Sequence, residues 1–72
     1  MILVQVLKVL PAGADFTIFD MNRPVLTGSI TRSDKSIIWP DIDSDIRYQK
    51  MYGGFHVELI DKVDEKWIIN IR

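Results

Sequence analysis

The sequence predicts a small all-β domain, an antiparallel barrel or sandwich of roughly six to seven short strands and of SH3-like or oligonucleotide-binding size. The first observation is the alternation of apolar and polar residues from Phe55 to Arg72, which has the period of two typical of strands. The second is a series of β-type runs separated by short Pro, Gly, Asn and Asp clusters. The length of 72 residues corresponds to one domain spanning 1–72.

The composition limits the classes of function. There is no cysteine, which excludes disulfides and thiolate metal sites and is typical of a reducing compartment, so we expect a soluble, cytoplasmic protein. The net charge of −1 argues against sequence-independent binding to a phosphate backbone. Because a short chain leaves much apolar surface exposed, the 47% apolar content favours a homo-oligomer or a bound partner.

The apolar run from Ile2 to Leu10 is interpreted as a strand that is apolar on both faces and ends at Pro11. A secretory signal is not expected, because no basic segment precedes the run and polar residues interrupt it. The run is also far shorter than the roughly 20 residues that a membrane-spanning helix needs.

Asp15–Met21 and Val25–Thr31 are predicted to form a hairpin with a longer loop between them, in which Asn22 tolerates a positive φ. Gly28 inside the second strand predicts a bulge or a bend. The segment from Phe16 to Gly28 resembles a hairpin of many immunoglobulin-like and phage-structural domains, a pattern too common to imply a function.

Arg32–Lys35 is predicted to be a polar turn, and Ser36–Trp39 a short strand that ends at Pro40. An acidic loop then carries Asp41, Asp43 and Asp45 at the alternate spacing that begins an EF-hand calcium loop. Ile46 replaces the glycine of that loop and Tyr52 its bidentate glutamate. A solvated acidic loop is therefore preferred, and a weak divalent-cation site is the alternative.

Residues Ile46 to Tyr52 allow two interpretations. A strand is preferred, because Gly53-Gly54 is a two-residue hairpin signal that would pair Tyr52 with Phe55. The alternative is one short helix near 44–52, capped by Ser44 and closed by Gly53. That alternative would make the domain α+β.

The last hairpin is predicted to turn through the three residues Asp64–Lys66, which keeps odd positions on one buried face of both strands. Ile60 and Ile68 are the apolar exceptions on the even face. They are expected to lie near each other as a second apolar patch that marks a contact.

No constellation of catalytic residues is apparent, so we expect no enzymatic activity and no cofactor. His56 is the single histidine, and there is no nucleophile elbow and no Gly-rich phosphate loop. Arg47 and Lys50 lie among aromatic residues, a mixture that can bind single-stranded nucleic acid. The strand interpretation turns those aromatic side chains towards the core, which disfavours that role.

The sequence therefore favours a small non-enzymatic domain that binds another protein or a second copy of itself, in an accessory or regulatory role of the kind phages and mobile elements encode. That last association is a general expectation for small proteins. The first alternative is a single-stranded nucleic-acid-binding barrel, and the second is an enzyme with its site at a subunit interface. No membrane partner is expected. The candidate contact residues are Trp39, Arg47, Lys50, Ile60, Trp67 and Ile68, with the tryptophans included because Trp is enriched at protein contacts.

Overall fold

The computed structural model describes residues 1–72 and contains one open five-stranded sheet with short helices against it. The prediction of a small, mostly β domain is confirmed, but the sheet does not close into a barrel, and an α+β mix describes it better. The strands are β1 (Asp15–Asp20), β2 (Arg23–Ile30), β3 (Ile37–Ile38), β4 (Val57–Val63) and β5 (Lys66–Ile71). The helices are α1 (Leu3–Val9) and α2 (Ile42–Arg47), and a π-helical turn over Tyr48–Tyr52 continues α2.

The strand order in the sheet is β3-β2-β1-β5-β4. β1 is antiparallel to β2 and parallel to β5, with Asp15 beside Lys66 and Thr17 beside Ile68. Because β1 and β5 are parallel, a crossover connection is needed. The chain runs from β3 at one edge of the sheet through α2 to the other edge, where it forms β4 and β5. β1 is therefore the central strand, and β4 lies at an edge.

The predicted hairpin of β1 and β2 is confirmed, although its loop is shorter than expected. Met21 and Asn22 form a two-residue turn with φ values of 52° and 65°, which matches the twist of the strands. A bulge lies at Ile18/Phe19, away from Gly28. Gly28 instead pairs with Phe16 and provides space, because a Cβ there would lie 2.8 Å from Phe16 Cζ.

The predicted strand from Ile2 to Leu10 is wrong, because Leu3–Val9 is helical. The buried residues Leu3, Val6, Leu7 and Leu10 follow the i, i+3, i+4, i+7 spacing of one helix face. The Ile2 backbone N–H donates to Gln5 Oε1 at 3.1 Å, which satisfies a free donor at the start of the helix.

The predicted strand from Ile46 to Tyr52 is also wrong, and the helical alternative is the observed one. The helix begins earlier than that alternative placed it, since Asp41 is the cap and accepts a hydrogen bond from the Ser44 backbone N–H at 2.7 Å. The segment predicted as an acidic loop is thus the first turn of α2, where negative charge is favourable. Gly53 closes the π-helical turn by donating to the Tyr48 carbonyl at 2.9 Å, so there is no Gly53-Gly54 hairpin.

The last hairpin is present, but its turn has two residues instead of three. Asp64 and Glu65 have φ values of 52° and 68°, and Val63 pairs with Lys66. This change shifts the pairing by one residue, so from Leu59 to Val63 each β4 side chain shares a face with a β5 residue of the opposite parity. Ile60 therefore lies beside Ile69, and Asp61 beside Ile68. A bulge between Val57 and Leu59 restores equal parity where Val57 pairs with Ile71.

The hydrophobic core lies between one sheet face and the helices. It comprises 11 buried residues: Leu3, Val6, Leu7, Leu10, Ala14, Phe16, Ile18, Leu26, Ile30, Ile69 and Ile71. Half-buried aromatic residues from the π-helical turn and its flanks pack against it. No helix is long and apolar enough to cross a lipid bilayer.

Candidate protein-interaction surface

The two faces of the sheet differ in what lies against them. We call the face that packs against α1 and α2 the inner face, because Phe16, Ile18 and Ile69 point from it into the core. Side chains alternate along each strand, so the neighbouring residues form the outer face. By the observed register, its principal residues are Asp15, Thr17, Phe19, Thr27, Ser29, Ile38, Leu59, Asp61, Val63, Lys66, Ile68 and Asn70.

The outer face carries large apolar side chains that nothing else in the chain covers. Leu59 is 58% exposed, Val63 52% and Ile38 54%. Leu59 and Val63 lie diagonally to either side of the half-buried Ile68, with Asp61 between them. Ile38, by contrast, lies at the opposite edge of the sheet. Phe19 is half-buried on the central strand. Grouped exposed apolar residues such as Leu59, Val63 and Ile68 are typical of contact sites.

The centre of the outer face is tightly set. Thr17 on the central strand is buried between its neighbours Thr27 and Ile68 on either side. At one end of the same strands, Asp15 and Lys66 lie side by side and are exposed. They help to line a shallow depression of about 310 Å³ that also includes Ile38.

β4 contributes an edge as well as part of the outer face. None of its seven residues is buried, because it pairs with β5 on one side and has little beyond it on the other. The free edge is partly paired next to the start of β4. There Ile2 forms an isolated bridge with His56, and the Val57 N–H donates to the Met1 carbonyl at 2.9 Å. The remaining edge is open to a further strand, a recurring mode of protein recognition.

The structure separates the two isoleucines that the sequence predicted to lie together. Ile68 lies on the outer face near its centre, whereas Ile60 lies on the inner face beside Ile69 and is 41% exposed near the sheet edge. The predicted Ile60/Ile68 patch is therefore wrong as a single surface. Ile68 belongs instead with Leu59 and Val63.

The two tryptophans both lie on the inner, helical side and are half-buried. The Trp39 ring is 5.6 Å from the Phe16 ring in an edge arrangement and 4.9 Å from the Tyr48 ring. Lys62 Nζ lies 5.4 Å from the Trp67 ring centroid, within the range of a cation–π contact. Both rings have partners inside the chain.

Arg47 lies in α2 and Lys50 in the π-helical turn that follows it. Arg47 Nε donates to the Asp43 carbonyl at 3.3 Å, within its own helix. Tyr48 packs on Trp39, and its burial raises the pKa of its hydroxyl. α2 also exposes Ile42 and Ile46 one turn apart, but this apolar strip is narrower than the outer face.

The three aspartates at alternate positions take separate roles. The Asp41 carboxylate accepts from Ser44, and these hydrogen bonds hold its pKa below the usual value. Asp45 accepts from Gln49 Nε2 at 3.0 Å. The helix therefore uses two of the carboxylates for local hydrogen bonds.

His56 lies next to the sheet edge in an open depression of about 480 Å³ with Val57, Glu58 and Arg72. The Arg72 guanidinium is 3.9 Å from the Glu58 carboxylate, and both side chains are exposed. An exposed ion pair at that distance contributes little to the stability of the fold.

Comparison of the chain with protein-family models, with curated proteins and with solved structures gives no match in any of the three. Of the six candidate contact residues, one, Ile68, lies on the outer face. The sequence interpretation missed Asp15, Thr17 and Phe19, because it did not assign a face to β1. It missed Leu59 and Val63 because it assigned all odd positions from Phe55 to Ile71 to one buried face, from which the three-residue turn was inferred.

Proposed function

We propose that this chain is a non-enzymatic binding module that recognises another protein through the outer face of its sheet, in an accessory or regulatory role. The observation that carries this proposal is the uncovered apolar surface formed by Leu59, Val63 and Ile68. Covering it would remove apolar side chains from water, the main favourable term in protein association.

The distribution of side chains on the outer face also supports a protein partner. Interfaces typically combine an apolar centre that includes aromatic residues with a polar, charged rim. Here Ile68 lies near the centre and Phe19 towards one end of the central strand, and Asp15, Asp61 and Lys66 lie around them. The edge strand adds exposed apolar side chains to this charged surround. The mixed signs of the rim favour a protein over a polyanion, which would select a basic surface.

The test is site-specific photocrosslinking in cells of the source organism. A photoreactive amino acid replaces Leu59 in one variant and Val63 in another. Met21 provides the matched control, because it is an apolar residue with 86% exposure in the β1–β2 turn, outside the outer face. We expect a discrete protein adduct from the two outer-face positions and none from position 21.

A second arm asks whether the adduct depends on the whole face. Ile68→Glu places a charge near the centre of the surface without entering the core, so it should abolish crosslinking from position 59 while the chain remains folded by circular dichroism. Equal adducts from position 21, or none from positions 59 and 63, would rule out the outer face as the binding site.

A further inference from the structure

We infer that the protein that covers the outer face is a second copy of this chain, related by a two-fold axis that lies between the two sheets and runs along the strands midway between β1 and β5. This inference rests on the proposed function. It adds the identity of the partner, and it is argued from the charges and side chains of the outer face.

The charge pattern is self-complementary about this axis. Asp15 and Lys66 are neighbours on the parallel strands β1 and β5, and both point from the outer face. A rotation that exchanges the two strands places each Asp15 opposite Lys66 of the second copy and each Lys66 opposite the other Asp15. An isologous interface requires a patch of this kind, which matches itself after a half-turn.

The middle row of the face is complementary under the same rotation. Thr17 comes opposite Ile68 of the second copy, so the buried threonine side chain faces the central isoleucine. β2 comes opposite β4, which places Thr27 opposite Asp61 as a hydrogen-bond donor and acceptor. The end rows are less complementary, since Phe19 comes opposite Asn70 and Val63 opposite Ser29. No like charges are brought together by this arrangement of outer-face residues.

The dimensions of the face allow a weak dimer. With strands about 4.8 Å apart and about 3.3 Å per residue, the five-stranded face measures roughly 20 Å in each direction. Two copies packed face to face would bury on the order of 1,000 Å² in total, near the lower limit of specific interfaces. We therefore expect a weak dimer whose population depends on protein concentration.

Charge reversal with mixing tests the axis directly. In Asp15→Lys chains alone, four positive side chains meet at the interface, and in Lys66→Asp chains alone, four negative ones do. We expect each variant to dimerise on the order of 100-fold more weakly than the wild type. An equimolar mixture should restore the dimer, because every lysine then faces an aspartate. Sedimentation velocity across concentration measures all three samples.

Mixing separates this interface from a charge pair inside one chain, because adding a second variant cannot restore contacts within the first. Asp15 and Lys66 are both exposed, and circular dichroism checks that each variant stays folded. Dimerisation that survives either reversal, or that mixing does not restore, would overturn the inference.

Dilution of the wild-type chain gives a reading that does not depend on any variant. Backbone amide shifts in two-dimensional NMR should change with concentration at outer-face positions such as Thr17 and Ile68, and remain constant along α1. A wild-type chain that stays monomeric to millimolar concentration also overturns the inference. If photocrosslinking from Leu59 still captures a different protein, the proposed function stands without the homodimer.

Discussion

The inner and outer faces of the sheet both carry large apolar side chains, but only those of the inner face are covered. Phe16, Ile18 and Ile69 on the inner face are fully buried beneath α1 and α2. Leu59 and Val63 on the outer face remain more than half exposed. Most of the other outer-face residues are polar, whereas the inner-face residues are largely apolar. The inner face is also the one on which α1 and the aromatic residues of the π-helical turn pack.

Folding of the single chain buries the inner face of the sheet and leaves the outer face exposed. A sheet with one covered face already has a continuous core, so the second apolar face is not required for the chain to fold. Leaving apolar side chains in water incurs a risk of aggregation. The proposed binding role would account for these exposed side chains, because the partner would cover them.

The largest expected difference between the faces appears when the same side chain is removed from each environment. Leu7→Ala removes a buried side chain from α1 and should lower the free energy of unfolding by about 2–5 kcal/mol, through lost burial and the resulting cavity. Leu59→Ala makes the same chemical change on the outer face and should lower it by less than about 0.5 kcal/mol. Urea unfolding followed by tryptophan fluorescence measures both.

The unfolding experiment is done at about 1 μM protein, where mass action keeps a weak dimer dissociated. Comparable losses from the two substitutions would show that Leu59 is buried even in the isolated chain, and the contrast between the faces would fail. A loss from Leu59→Ala that appears only at high concentration would instead agree with the proposed dimer.

The sequence predicted the β1–β2 hairpin because its signals are local: β-branched and aromatic runs flank a turn that contains Asn22. It failed for α1, although Leu3, Val6, Leu7 and Leu10 have helical spacing. Apart from Gln5 and Lys8 the run is apolar, so both periods could be found in it, and it was interpreted as a strand with two apolar faces. Which interpretation is right depends on whether a sheet face needs covering, and that is tertiary information.

The candidate surface was harder to predict for a similar reason. A change of one residue in turn length reverses the faces of an entire strand relative to its partner. The sequence interpretation put the odd positions of both strands on one buried face, whereas the two-residue turn puts Leu59 and Val63 on the same face as Lys66 and Ile68. The parallel contact between β1 and β5 joins segments that are distant in the sequence, and no local pattern marks it. The proximity of Asp15 and Lys66 follows from that contact alone.

A second, smaller effect tests how closely the inner face is packed. A Cβ added at Gly28 would lie 2.8 Å from Phe16 Cζ and 3.0 Å from the Ile38 carbonyl oxygen, which belongs to the backbone and cannot easily move. Gly28→Ala should therefore lower the free energy of unfolding by about 1–3 kcal/mol. The same urea titration provides the measurement.

Gly54→Ala is the matched control, because a Cβ at Gly54 would have no atom within 4 Å and its φ is not positive. Stability should change little there, or rise slightly as the unfolded chain loses freedom. A Gly28→Ala chain as stable as the Gly54→Ala chain would mean that Phe16 and Trp39 can move aside, and that the inner face is looser than its burial indicates.

The smallest expected effect on stability comes from the turn between β2 and β3, which belongs to neither face of the sheet. Asp34 Oδ1 accepts hydrogen bonds from Thr31 Oγ1 at 2.6 Å and from the Ser36 N–H at 3.1 Å. These hydrogen bonds lower the pKa of Asp34 from 3.8 to about 2, and the bond from Thr31 has the largest effect. Since the folded pKa lies below the unfolded one, the stabilisation is complete above the unfolded value and is lost as pH falls towards the folded one.

The stability difference between wild type and Asp34→Asn should therefore be constant near neutral pH and shrink as the pH falls from about 4 towards 2. Thr31→Val should reduce this pH dependence, because it removes the strongest donor to the carboxylate. Glu65→Gln in the β4–β5 turn controls for the loss of one negative charge at an exposed site. Thermal unfolding between pH 2 and pH 6 measures the effect, and a difference that does not vary over that range would contradict the role of this hydrogen-bonded carboxylate. That result would show that the flanking strands β2 and β3 fix the conformation of the turn, and that the hydrogen bonds of Asp34 do not.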